Sequence, residues 1–175
     1  RFRSGAYADE PISIGYAQTI SQPYMTALMV QLLQLKGSEK VLEVGAGCGY
    51  HAAVLGWLAR EVITIEIIPE LAEMARRNLE AVGLGHKVKV LEGDGSQGYP
   101  EQAPYDAISV AAASPQVPQP LLEQLNDPGR MVIPIGGLDE QELILVERVG
   151  GKLTQRTTAL CRFVPLRGGY GWKLV

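Results

Sequence analysis

The stretch Lys40–Tyr50, KVLEVGAGCGY, constrains this chain more than any other. Val41 to Val44 have the composition of a short buried strand, apolar except for the carboxylate of Glu43. Glycines follow at Gly45, Gly47 and Gly49, and the run HAAVLGWLA after them favours a helix. Strand, glycine turn and helix in that order present a helix N-terminus to a ligand at the carboxyl end of a parallel sheet. Missing β-carbons let the backbone approach that ligand closely and take positive φ. A dinucleotide fingerprint, G-x-G-x-x-G, would need its third glycine at position 50, which is Tyr50. The plainer alternative is a glycine turn with no ligand.

Alternating glycines with an acid two residues before the first resemble motif I of Rossmann-like methyltransferases that use S-adenosylmethionine (SAM). A pyrophosphate asks for amide donors and a dipole, whereas SAM brings a cationic sulfonium, an ammonium and a carboxylate. Glu43 carries the distinction, because a carboxylate is seldom buried without a partner. Glu66 ends the β-branched run EVITIE and lies 19 residues after Gly47. Rossmann-like folds place at that offset the acid that holds ribose hydroxyls; a solvated charge at a strand end is the alternative. Asp94, between Gly93 and Gly95 past a third strand at Val88–Leu91, has the acceptor chemistry for an adenine amino group. A GDG stretch is also an ordinary turn.

With 175 residues, 46% hydrophobic and 20% charged, the chain is expected to form one domain with a full core. Net charge is −3 and the basic residues are scattered, which argues against a nucleic-acid face. No apolar stretch reaches the ~18 residues of a membrane span, so no membrane partner is expected. Cys48 and Cys161 lack metal-ligand spacing and read as free thiols of a reducing compartment. His51 and His86 are far apart and read as surface or helix-end residues, so no metal site is expected.

Residues 1 to 20 read as irregular. Ser21 before Pro23 has the form of a helix start, with serine as N-cap, and Met25, Leu28, Met29, Leu32 and Leu33 give that helix its apolar face. Capping is a sufficient local explanation of Ser21. A third helix runs from Pro69 to about Val82, with Gly83 past its end. Tyr105–Ala113 is the fourth strand, Leu121, Leu122 and Leu125 mark a short helix, and Arg130–Gly136 is the fifth strand. Glu142–Val149 and Gly151–Thr157 pair as a hairpin across Gly150-Gly151.

Taken together, GYAQTISQPYM, VLEVGAGCGY, EGDG, PYDAISVAAA, QLNDPGRMVIPIG and RFVPLRG resemble the protein-L-isoaspartate O-methyltransferase family, in order and rough spacing, over nearly the whole chain. The QTIS segment is the most specific piece. The resemblance implies an α/β, Rossmann-like SAM-dependent fold: a doubly wound, mostly parallel sheet with a C-terminal antiparallel hairpin. It implies one methyltransferase domain over 1–175, preceded in family members by a further helical segment. The implied activity transfers a methyl group from SAM to the free α-carboxylate of L-isoaspartyl residues in damaged proteins and peptides, leaving S-adenosylhomocysteine. By motif, Ser21 matches the active-site serine, and Gln18, Thr19 and Ile20 line the substrate and cofactor cleft. Glu43, Gly45, Gly47 and Gly49 match the cofactor loop, Glu66 the ribose acid, and Asp94 with Gly95 the adenine site. Val164 matches the strand beside the bound peptide. Tyr24 stands where members often carry His, and His51 where bacterial members commonly carry Gln. A monomeric cytoplasmic repair enzyme is the implied setting. A methyltransferase acting on a small molecule and a catalytically dead SAM-binding module remain the competing classes; an NAD enzyme is disfavoured by Tyr50.

Overall fold

Aliphatic and β-branched runs become strands where glycine or proline bounds them, and in the computed structural model, which describes residues 8–173, they build two sheets. The sequence reading of residues 1–7 lies outside the described residues. β1 (Ile12–Gly15) and β2 (Gln18–Ile20) form a small antiparallel hairpin where an irregular segment was expected. Its turn residues Tyr16 and Ala17 take φ of 54° and 55°, which sequence does not announce because neither is Asn or Gly.

α1 (Pro23–Leu33) leads into β3 (Lys40–Val44), α2 (Tyr50–Leu58), β4 (Glu61–Glu66), α3 (Pro69–Ala81) and β5 (Val88–Glu92). β6 (Tyr105–Val110), α4 (Gln119–Gln124), β7 (Leu125–Gly136), β8 (Gln141–Val149) and β9 (Lys152–Cys161) complete the chain. The large sheet has the order β5-β4-β3-β6-β7-β8-β9. Neighbours from β5 to β7 are parallel, and β8 is antiparallel to both β7 and β9. The expected C-terminal hairpin is therefore present, and only its first strand runs against the rest. β6 stops sooner than expected, and β7 begins at Leu125, a residue assigned from sequence to the preceding helix.

One face of the sheet packs α1, α2 and α3 through Met29, Leu33, Leu55 and Leu79; the other packs Leu42, Ile108 and Met131 beneath Leu121 of α4. These side chains are almost wholly buried, each worth roughly 1.5–3 kcal/mol of hydrophobic transfer. Chain connections leave β3 toward β4 on one side, while β6 pairs on the other. This reversal of strand order opens a crevice above the carboxyl ends of β3 and β6, where α/β sheets bind ligands.

Ser21 is not the N-cap of α1. Gln22 holds that position, with no side-chain capping bond, and Pro23 occupies the first turn. The carboxylate of Asp9 instead accepts from the Tyr24 amide at 3.1 Å, so the orphan donor is satisfied from 15 residues away.

Candidate active site

The glycine turn above β3 has the conformation that the spacing calls for. Gly45, Gly47 and Gly49 take φ of +92°, +54° and +87°. Gly45 N–H donates to Ile65 O at 2.8 Å, and Gly47 N–H donates to Glu66 Oε2 at 2.8 Å. The turn is thus tied to the tip of β4. At Gly49 a β-carbon would stand 3.2 Å from the Ala75 Cα of α3, so space as well as φ requires glycine.

A solvent-open cleft lies over this turn. β2 contributes Gln18 and Thr19, and the turn contributes Gly45 and Gly47. Glu66, Gly95 and Val164 complete the set of expected residues on its walls. Glu66 is 5% exposed, and its other oxygen accepts from Ile68 N–H at 3.0 Å. Two backbone amides therefore fix the carboxylate, while a carboxylate has roughly four acceptor sites. The remaining sites suit a vicinal diol. Ile67 beside it is 42% exposed, apolar surface that a planar base would cover.

Glu43 and Gly49 are not on the cleft wall; they lie beneath it. Glu43 is fully buried and aligned in register with Thr64 on β4 and Ser109 on β6. Thr64 Oγ1 donates to Glu43 Oε2, and Glu43 Oε1 has no partner among the described residues. Desolvation pushes the Glu43 carboxyl up to about 8; the Thr64 hydrogen bond opposes the shift and the Glu66 charge adds to it. His51 stands at a helix end, as read, in the first turn of α2, but at 7% exposed it is not a surface residue. Its Nε2 lies 3.3 Å from Ser109 Oγ, and burial lowers the imidazole to about 4. Glu43, Thr64, Ser109 and His51 thus form a buried polar floor under the glycine turn.

Ser21 and Ile20 face neighbouring cavities. Ser21 lines a groove of about 570 Å³ that continues from the cleft past Met25, Phe163 and Val164. Thr19, Ala111, Val164 and Pro165 belong to both spaces, so cleft and groove meet there. Ile20 and Ser21 also border a smaller cavity beneath, with His51 and the buried hydroxyl of Thr26, which has no partner among the described residues. Cys161 in the groove is a free thiol raised to about 11 by desolvation, too basic to be a nucleophile near neutral pH.

Asp94 is not on the cleft wall either. Its carboxylate accepts from Ser96 N, Ser96 Oγ, Gln97 Nε2 and Gly169 N at 2.9, 2.6, 2.9 and 2.8 Å. Ile67, Ile68, Leu166 and Arg167 line the cleft and were not foreseen from sequence. The pair Gly168-Gly169 was a legible signal of unusual backbone, but not of where it docks. Thr64 and Ser109 sit one on each side of Glu43 by strand register, a relation visible only once the strands are ordered.

Residues 1–171 match the sequence profile of the protein-L-isoaspartate(D-aspartate) O-methyltransferase family. A protein-L-isoaspartate O-methyltransferase of Methanoregula boonei is 54% identical over 168 residues, covering 96% of this chain and 77% of the relative. Protein-L-isoaspartate O-methyltransferase 2 of Archaeoglobus fulgidus is 53% identical over 178 residues, covering 99% of this chain and 80% of the relative. Among solved structures, a protein-L-isoaspartate O-methyltransferase superposes with a TM-score of 0.84 at 31% identity, over 95% of this chain and 55% of that one. A Plasmodium falciparum protein assigned to the same family, solved with S-adenosyl-L-homocysteine, superposes with a TM-score of 0.77 at 25% identity, over 92% of this chain and 81% of its own.

Proposed function

The chain belongs to the protein-L-isoaspartate (D-aspartate) O-methyltransferase family, and from that premise we propose how its residues divide the work of methylating L-isoaspartyl carboxylates in proteins with SAM. The cleft takes the cofactor and the groove takes the peptide. The observation that carries this division is the shared wall of Thr19, Ala111, Val164 and Pro165, where a methyl donor in the cleft and a carboxylate in the groove would come into contact.

The cleft fits the cofactor. Glu66, braced by the amides of Gly47 and Ile68, holds the ribose hydroxyls. Gly45 and Gly47 admit the amino-acid end close to the backbone, Gln18 and Thr19 close the cleft from the hairpin, and Gly95 with Ile67 flanks the base. Glu43 supports the turn from below, on the buried floor between Thr64 and Ser109. When bound, SAM supplies an activated methyl group on a good leaving group.

The chain's own task is then positioning. An α-carboxylate with a pKa of about 3.5 is ionised at neutral pH and needs no base. The Ser21 hydroxyl, free of any capping duty, donates a hydrogen bond to that carboxylate and aims one oxygen at the methyl-bearing end of the cleft. Val164 walls the peptide and excludes water at the end of the groove, where its carbonyl accepts from Ala113 N–H, and Ile20 flanks Ser21 from the smaller cavity. Holding reactants in line is worth several orders of magnitude in rate, so little acid-base chemistry is asked of the side chains.

We place the enzyme in a reducing, cytoplasmic compartment on the strength of its two free thiols, Cys48 and Cys161. A monomer is the working unit in this reading, since the residues assigned to cofactor and peptide all belong to one chain. The deciding experiment is methyl transfer from SAM to a peptide carrying one L-isoaspartyl residue, beside the same peptide with L-aspartate. Transfer to the first alone is the expected result. Equal transfer to both, or to neither while a small carboxylic acid is methylated, overturns the substrate assignment.

A further inference from the structure

We propose that Asp94 is a positioning residue whose carboxylate latches the segment Leu166–Tyr170 across the adenine end of the cleft, and that it does not read the adenine amino group. The proposal rests on the cofactor reading of the cleft given above.

A carboxylate has roughly four acceptor sites, and Asp94 fills four from its own chain. Three donors come from its own turn: Ser96 N, Ser96 Oγ and Gln97 Nε2. The fourth, Gly169 N–H, comes from 75 residues away at 2.8 Å. A purine amine would have to displace one of these four. Asp94 is also absent from the cleft wall, where the next residue, Gly95, stands. Gly95 is itself held tight, since a β-carbon there would press on Val44 Cγ1.

The far side of the contact is built to receive Asp94. Leu166 and Arg167 line the cleft, and the chain then turns at Gly168 with φ +141°. A methyl group on Gly168 would run into Asp94 Oδ1 and Ser96 Oγ. Tyr170 N–H donates to Ser96 Oγ at 3.1 Å, so two consecutive amides of the segment close on one turn. At its other end the segment is anchored by Leu166 N–H to Ala113 O at 2.7 Å and by Trp172 N–H to Leu166 O at 2.7 Å. Leu166, 4% exposed, is the apolar part that this bracket presses against the cleft. The carboxylate therefore sets the position of a cleft wall and acts on the cofactor through it.

The test uses the whole enzyme, S-adenosylhomocysteine, and its analogue with hydrogen in place of the adenine amino group, with affinities read by calorimetry. In wild type, measurable binding of S-adenosylhomocysteine checks the cofactor reading by itself. Asp94→Ala should weaken both ligands by roughly tenfold or more, the order of one hydrogen bond to a charged acceptor, and leave the ratio of their affinities within about twofold of wild type. Gly168→Ala, which leaves the carboxylate intact, should weaken both ligands similarly. The double variant should be no weaker than the worse single one, because both changes break one contact. The KM for SAM should rise in each variant more than kcat falls. Should Asp94→Ala instead lack the folding needed for calorimetry, Gly168→Ala with raised amide exchange at Gly169 and unchanged selectivity decides in its place. The proposal is overturned if the selectivity for the amine collapses in Asp94→Ala, if Gly168→Ala binds as wild type does, or if the two losses add.

Discussion

The rim of the cleft and the floor beneath it use the same kind of residue for different ends. Glu66 and Glu43 lie on adjacent parallel strands, near the carboxyl ends of β4 and β3. At the rim, Glu66 accepts from two backbone amides and borders solvent-open space, so it stays an acceptor with sites to spare. On the floor, Glu43 has one hydroxyl donor and one oxygen without a partner among the described residues, and desolvation raises it to about 8. Depth and the count of donors, not residue type, separate a carboxylate whose acceptor sites open onto the cleft from one that desolvation pushes toward its neutral form.

Ser21 gives the largest test of the rim. Ser21→Asp sets a negative charge against an anionic substrate, and turnover with an isoaspartyl peptide should be abolished. Ser21→Ala should cost ten- to a thousandfold in kcat, since a misplacement of about an ångström is worth a factor near a hundred. Because Ser21 is not the cap of α1, neither change should move the melting temperature by the amount a lost cap would cost, about 1 kcal/mol. An active Ser21→Asp enzyme would remove serine from the site.

Glu66→Ala should weaken S-adenosylhomocysteine binding by about 1.5–3 kcal/mol, measured by calorimetry. Affinity equal to wild type would mean that the ribose is held elsewhere.

The floor answers to pH. A carboxyl raised in the folded state stabilises the fold fully below its unfolded value, near 4.5, and the contribution is lost as pH rises through about 8. His51, lowered to about 4, has the opposite sign: its contribution is present above 6.5 and is lost as pH falls through about 4. The two oppose each other between 4.5 and 6.5, so only Glu43 acts above that window. Denaturant unfolding of the cofactor-free protein should show stability falling by about 1–2 kcal/mol between pH 6.5 and 8, and Glu43→Gln should flatten that fall. A wild-type profile already flat there would place an ionised carboxylate on the floor and erase the contrast with the rim.

Thr64→Val gives the smallest effect. It removes the hydroxyl that favours the ionised form of Glu43, so the same fall should move to higher pH, at a stability cost of about 1 kcal/mol. No movement would mean that the hydrogen bond does not act on the titration.

Much of the rim was legible beforehand because its elements are local in sequence. Gly45, Gly47 and Gly49 follow a strand at a fixed spacing, and Glu66 ends the next one. Gln18, Thr19 and Val164 were reached by family resemblance, and they line the cleft although nothing in their local pattern says so. The floor was not legible beyond Glu43. Ser109 and His51 are 58 residues apart, and a histidine in the first turn of a helix looks the same whether the sheet below it is apolar or polar. The cap of α1 was misread for a similar reason: Ser21 fits the local rule, and the competing acceptor, Asp9, arrives from outside it.

The sequence by itself determined the strand, turn and helix at Lys40–Tyr50, the alternation of later strands and helices, the hairpin at Gly150-Gly151, and the positions whose backbone only glycine accepts easily. These follow from sterics and periodicity within a few residues of each position. Only the tertiary structure decided which acid loses its water, which keeps free acceptor sites, and which is consumed by the chain itself, as Asp94 is by Gly169. Desolvation and hydrogen-bond satisfaction depend on donors brought from 19, 21 and 75 residues away, and no local pattern contains them.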